Sequence, residues 1–138
     1  MGSAFMSEFV PYQEDVRSAF DEMVQRLYSL HGFQPPAPES WPDPVANPDE
    51  SQSYFLEVSE DPIRCLEIMR ISSKRGPLMI GPVSASEMQS LFETVRPSRA
   101  QIEDSDISEF LGRGEGLYCT VFDGELPSGI FIAWQTVD

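Results

Sequence analysis

The sequence predicts an α+β domain: an antiparallel sheet of four or five strands, with a long N-terminal helix and a second capped helix packed on one face. Three observations predict it. Apolar residues recur at helical spacing from Val16 to Leu30, the tetrad Ser84 to Glu87 has the form of a helix start, and two apolar runs near the end, LYCTVF and IFIAWQTV, flank a turn-forming segment. A chain of 138 residues has the size of one domain, and 41% apolar with 11% aromatic content is enough to build one core.

The first five residues, Met1-Gly2-Ser3-Ala4-Phe5, precede a second methionine and have the look of a vector-derived leader, which makes 6–138 the domain. Met6 stands where a myristoylation signal needs Ser or Thr. Over 13–31, Val16, Phe20, Met23, Leu27 and Leu30 step by four and three and so share one helix face, with Glu14, Arg17, Asp21, Glu22 and Gln25 turned to water. Pro11 before and Gly32 after punctuate that helix. The stripe spans under three heptads, which suits docking on the chain's own core better than a coiled coil.

Residues 34–51 hold six of the twelve prolines and four acids with no Lys or Arg. One helix ahead of them cannot bury a core alone, so this stretch is expected to be an extended excursion within one domain, not a linker between two. Trp41 in its middle either pins the excursion to the body or meets a partner.

Tyr54, Leu56 and Val58 alternate and read as a strand; Asp61-Pro62 could open a short helix, but the β-branched content of Ile63 to Ile71 and the turn residues before it favour a hairpin mate. Pro77 to Ile80 suggests a further short strand. From Ser84 to Arg96 a helix is expected, with Ser84 and Glu87 as capping box, Val83 and Met88 as hydrophobic staple, and Met88, Leu91, Phe92 and Val95 as its buried face up to Pro97. A shorter helical turn should run from Asp106 to Leu111, capped by Asp106 with Glu109. Leu117 to Phe122 and Ile130 to Val137 should pair as an antiparallel hairpin across Asp123 to Gly129, apolar on both faces and therefore central in the sheet, or at its edge under a partner.

Charge is the strongest functional signal. The net charge is -14, and the acids are unevenly spread: 27–63 has seven acids and no base, 64–99 has six bases against three acids, and 101–138 has eight acids and one base. Such a field repels nucleic-acid phosphates and anionic lipid and attracts cationic partners. A stretch of some twenty apolar residues is absent, and two distant cysteines without a CxxC fit a reducing, cytoplasmic setting.

Catalytic signatures are weak. One histidine, His31, rules out a multi-histidine metal site, and its place at a helix end suits interaction with the helix dipole better than catalysis, though a Cys–His pair needs only proximity in space. Cys65 and Cys119 lie in apolar patterns, where thiols behave as small hydrophobes. The run Gly112-Arg113-Gly114-Glu115-Gly116 follows a helix and precedes a strand, the reverse of a phosphate-binding turn. Arg70, Lys74 and Arg75 form the one compact basic cluster, a candidate anion site, while Glu103, Asp104 and Asp106 could serve acid-base work or a hard cation but most simply suit a helix start.

No metal, cofactor or enzymatic activity is expected. The leading expectation is an acidic binding protein that docks on and neutralises a basic protein, as immunity proteins, antitoxins and inhibitors do, through Trp41, Asp43, Asp49 and Glu50 with Glu103, Asp104, Asp106 and Glu109. The alternatives are a small-molecule or enzymatic domain gripping an anionic ligand between sheet and helices through Arg96, Arg99 or the Lys74-Arg75 loop, and an acidic secretion-chaperone-like protein. A homodimer through the C-terminal hairpin is a further expectation.

Overall fold

The computed structural model describes residues 4–33 and 48–136, which form one mixed five-stranded sheet with helices on both faces. Strands β1 (Phe5–Pro11), β2 (Arg70–Ile71), β3 (Met79–Pro82), β4 (Gly116–Asp123) and β5 (Leu126–Gln135) lie in the order β1-β5-β4-β3-β2. Pairings β1–β5 and β5–β4 are antiparallel, whereas β4–β3 and β3–β2 are parallel. The purely antiparallel expectation is thus corrected. Between β3 and β4 the chain makes a long crossover carrying α3 (Ala85–Phe92) and α4 (Arg99–Glu103), and a crossover of that length returns the next strand in parallel.

The expected hairpin is present and central: β5 lies between β1 and β4, and β4 between β5 and β3, so both outer edges of the hairpin are taken within the chain. Its turn is tighter than the sequence suggests. Pairing starts at Asp123↔Leu126, with Gly124 in the left-handed region at φ +65°.

Helix α1 (Val16–His31) begins at Asp15, whose carboxylate accepts from the Arg17 N–H and the Ser18 hydroxyl, and ends at Gly32 in the left-handed conformation. Phe20, Met23 and Leu27 are buried as their spacing requires, but Leu30 is 74% exposed, and Tyr28 takes the buried place in the last turn. The helix packs with Ile130, Ile132 and Trp134 on the first face of the sheet. Helices α3 and α4 place Phe92 and Ile102 with Leu117, Cys119, Val121, Phe131 and Ala133 on the second face. The two principal helices therefore cover opposite faces, not one; β4 and β5 are apolar on both sides, and each side needs a cover.

Three local expectations also change. Residues read as the strand Tyr54 to Val58 belong to helix α2 (Pro48–Ser59), where Pro48 sits in the first turn and Val58 is fully buried while Leu56 is 60% exposed. Its supposed hairpin mate is a 3-10 helix, Arg64–Ile68, followed by the two-residue β2. The Asp61 carboxylate accepts from the Ile63 and Arg64 N–H groups at 2.8 and 2.9 Å, which turns the chain helically at Asp61-Pro62. Helix α3 carries the expected capping box between Ser84 and Glu87, yet it stops at Phe92 because Glu93 adopts a left-handed φ of 63°, leaving Val95 43% exposed. The excursion at 34–51 is helical from Pro48 onward, and 34–47 lies outside the described residues.

A buried polar network ties the first-face layer together. Glu67, 6% exposed, accepts from the Tyr28 hydroxyl at 2.7 Å and from Arg64 Nε at 3.0 Å, while Arg64 Nη1 reaches Glu57 at 2.8 Å. The hydrogen bond to Glu57 above all, and that to Glu67, hold the Arg64 guanidinium charged beyond its ordinary value against its partial desolvation. These bonds join α1, α2 and the 3-10 segment.

Candidate functional site

Among the described residues β1 is an outermost strand of the sheet, and its backbone has a defined polarity. The Thr136 N–H donates to the Ala4 carbonyl at 3.0 Å, so in the antiparallel ladder Met6, Glu8 and Val10 bond inward to β5, and Phe5, Ser7 and Phe9 turn their N–H and C=O groups outward. The second pairing agrees: Gln135 N–H donates the other way, to the Glu115 carbonyl at 3.0 Å. Alternation then puts the side chains of Phe5, Ser7 and Phe9 on the second face.

Beside that edge runs a cleft of about 370 Å³, lined by Phe5, Phe9 and Phe131 on the sheet side and by Glu103, Ser105 and Ser108 across from them. The Phe9 and Phe131 rings meet at a 46° tilt, with centroids 4.9 Å apart. The wall is built by α4, opened by a reciprocal box in which Ser98 Oγ accepts from the Gln101 N–H and Gln101 Oε1 from the Ser98 N–H, and by the 3-10 helix Ile107–Phe110. Ile102 and Ile107 anchor this wall in the second-face core, which leaves Glu103, Asp104, Asp106 and Glu109 exposed as an acidic ledge. Arg99 lies across the cleft mouth: its guanidinium sits 4.4 Å over the Phe9 ring while its Nε donates to Glu103 at 2.9 Å.

Glu103, Asp104 and Asp106 were expected at a helix start, with Asp106 and Glu109 as a capping pair; Glu103 and Asp104 instead close α4. Asp104 occupies the C-cap of α4, Glu103 pairs with Arg99, and Asp106 stands at the N-cap of the 3-10 helix without a side-chain capping bond. The other acidic group is not brought to this ledge. Asp49 is exposed on α2, which also carries Glu50 and packs on the 3-10 segment of the first-face layer, whereas the ledge lies over the second face. Trp41 and Asp43 lie outside the described residues.

Of the basic cluster, Arg70 and Lys74 are exposed, and Arg75 is engaged. Arg75 Nη1 donates to Glu87 at 3.1 Å and the guanidinium covers the Phe110 ring at 4.3 Å, so it latches the loop after β2 to α3 and to the ledge segment. His31 is the last residue of α1 and stacks on Phe33 at 6.5 Å.

Cys65 lies in the 3-10 helix within the first-face core and Cys119 in β4 within the second, so neither thiol shares a surface with exposed His31. Burial, aided at Cys65 by Asp61, pushes both thiols from 9.0 up to about 12. A chromogenic disulfide reagent at pH 8 should therefore leave both unreacted in the native protein and titrate both in denaturant; fast reaction of either in the native state contradicts this burial. The linkage follows the same sign. A folded value above the unfolded one gives stability that is complete below about pH 9 and lost as the pH climbs towards about 12.

The sequence reading missed Phe5, Ser7, Phe9 and the Ser98 to Gln101 box, and Arg99, expected as a grip for an anionic ligand, is instead bonded to Glu103 over the Phe9 ring. The box had a signal, since Ser98-Arg99-Ala100-Gln101 has the S-x-x-Q form. Phe5 was assigned to a leader, yet it pairs with Gln135, and Ala4 bonds to Thr136 through both its N–H and its carbonyl. Among the described residues no group of three His, Cys, Asp or Glu is placed to hold a metal ion, and no helix is long and apolar enough to cross a membrane. No protein-family model, curated protein or solved structure matches the chain.

Proposed function

We propose that this chain is a non-enzymatic acidic binding protein that docks on a basic protein partner and neutralises it, in the manner of an immunity protein, antitoxin or inhibitor. The observation that carries this reading is the disposition of charge. At least five of the nine bases, Arg26, Arg64, Arg75, Arg96 and Arg99, are spent in ion pairs with the chain's own acids. The exposed ledge from Glu103 to Glu109 meanwhile presents four acids on one short segment. A negative field of this kind steers a cationic surface into encounter, and aromatic rings beside carboxylates suit Lys and Arg side chains.

Salt is the test. A basic protein retained on the immobilised chain at low salt and released at high salt should be purified, and its association rate measured against ionic strength. The rate is expected to fall at least about tenfold between 0.03 and 0.5 M salt, as screening shortens the reach of the field. Replacing Glu103→Gln, Asp104→Asn, Asp106→Asn and Glu109→Gln together should slow association at low salt and leave the fold intact. Retention of no specific basic protein, or an affinity indifferent to salt, overturns the reading.

A further inference from the structure

We infer that the outer edge of β1 is where such a partner docks, by adding an extended, arginine- or lysine-bearing segment as a sixth strand. This rests on the acidic-binding reading above and names its contact. Three independent features converge on that edge. Phe5, Ser7 and Phe9 hold their N–H and C=O groups outward, which offers six hydrogen-bonding groups in strand geometry along a seven-residue strand. The same three residues turn their side chains towards the cleft of about 370 Å³. The far wall of that cleft is the acidic ledge, with Glu103 lining it.

The chain supplies its own picture of the occupant. Arg99 holds a guanidinium over the Phe9 ring at 4.4 Å with Glu103 bonded to it at 2.9 Å, and its side chain is 66% exposed. A partner arginine entering opposite Ser7 or Phe9 would lay its aliphatic stem along the phenylalanine rings and put its charge at Glu103 in the same way. Displacing a tether as exposed as Arg99 costs little. In an added antiparallel strand, the residues bonded to Phe5, Ser7 and Phe9 share their face, so alternate residues of the partner segment point at the ledge and should be the basic ones.

Charge argues against a second copy as the occupant. Pairing two β1 strands about Ser7 sets Glu8 of each copy diagonally across the same face and faces two acidic ledges across the joint, with each chain carrying -14.

The experiment uses an eight-residue peptide of alternating Arg and Val, blocked at both ends, titrated into the full isotope-labelled chain at low salt. The amides of Phe5, Ser7 and Phe9 should shift and gain protection from exchange. Ser7→Pro removes one outward N–H and leaves the bonds to β5 in place, as proline is tolerated at an edge position, so it should weaken binding at least about tenfold while the unfolding temperature changes little. N-methylation of the peptide's Arg residues should abolish binding to the unaltered chain, and N-methylation of its Val residues should not. This comparison serves where Ser7→Pro fails to fold.

Equal binding by all forms of the peptide, or protection at another surface, overturns the edge inference and leaves the acidic-binding reading standing. Equal binding by a Glu-Val peptide, or a dimer that Ser7→Pro dissolves, replaces the basic segment with another occupant and overturns it too. No binding of the Arg-Val peptide at low salt overturns the edge inference alone, since the salt-graded rate with the purified basic protein decides the broader reading.

Discussion

Truncating Trp134 to alanine should destabilise the domain by about 3–5 kcal/mol, the range for deleting a large aromatic from a packed core. The indole is completely buried on the first face, opposite Met6 in β1 and Gly116 in β4, so its removal opens a cavity under α1 at the middle of the sheet. Its Nε1–H also donates to the Pro62 carbonyl at 2.7 Å, holding the turn between α2 and the 3-10 segment to the sheet. Trp134→Phe separates the two roles: it keeps most of the ring volume but leaves the Pro62 carbonyl only the weak Cys65 thiol donor at 3.6 Å, for about 1–3 kcal/mol. Chemical denaturation measures both. A domain of this size has about 5–15 kcal/mol in total, so the alanine variant should be partly unfolded at moderate temperature. A loss below about 1 kcal/mol would mean that the segment around Pro62 does not depend on the indole.

Gly81→Ala should be nearly as damaging, by about 3 kcal/mol, at the upper end for forcing extra volume into packed structure. A Cβ there would lie 2.4 Å from the Lys74 carbonyl oxygen and 2.6 Å from its carbon, so the collision is with backbone and no rotamer relieves it. The loop from Ser72 to Gly76 would have to lift off β3. Arg75 would then leave Glu87 and the Phe110 ring, and the ledge segment would lose its link to that loop. A fall in unfolding temperature together with changed side-chain resonances of Arg75 would be the observed result; an unchanged temperature would show the loop to be loosely placed.

What the sequence revealed of the fold depended on how far each signal reaches. Capping and hairpin chemistry is local, and Ser84 with Glu87, Gly32, and the pairing of β4 with β5 were all readable from it. Leu56 shows the limit: three alternating apolar residues suit a strand or part of a helix, and Pro48, several residues earlier, sets the outcome. Strand order and the face each helix covers depend on contacts between distant segments, which no local pattern records. The candidate site was half legible. The acids of the ledge stood out as a run without bases, but the cleft needs β1, whose Phe5-Met6-Ser7-Glu8-Phe9 has no apolar alternation and whose partner is β5 at the far end of the chain. Arg99 could be read as a grip for an anionic ligand, not as a base already seated between Phe9 and Glu103.

That distance between β1 and β5 has a consequence for how the molecule comes into being. Phe5 pairs with Gln135, so β1 is synthesised well before the strand it bonds to. The β4–β5 hairpin closes over a few residues and α1 coils locally, while β1 stays outside the sheet until β5 has left the ribosome. The outward row of Phe5, Ser7 and Phe9 therefore does not exist on a nascent chain. A docking edge of this kind would form only once β5 has been made, and a chain without β5 carries the same acids without the strand beside them.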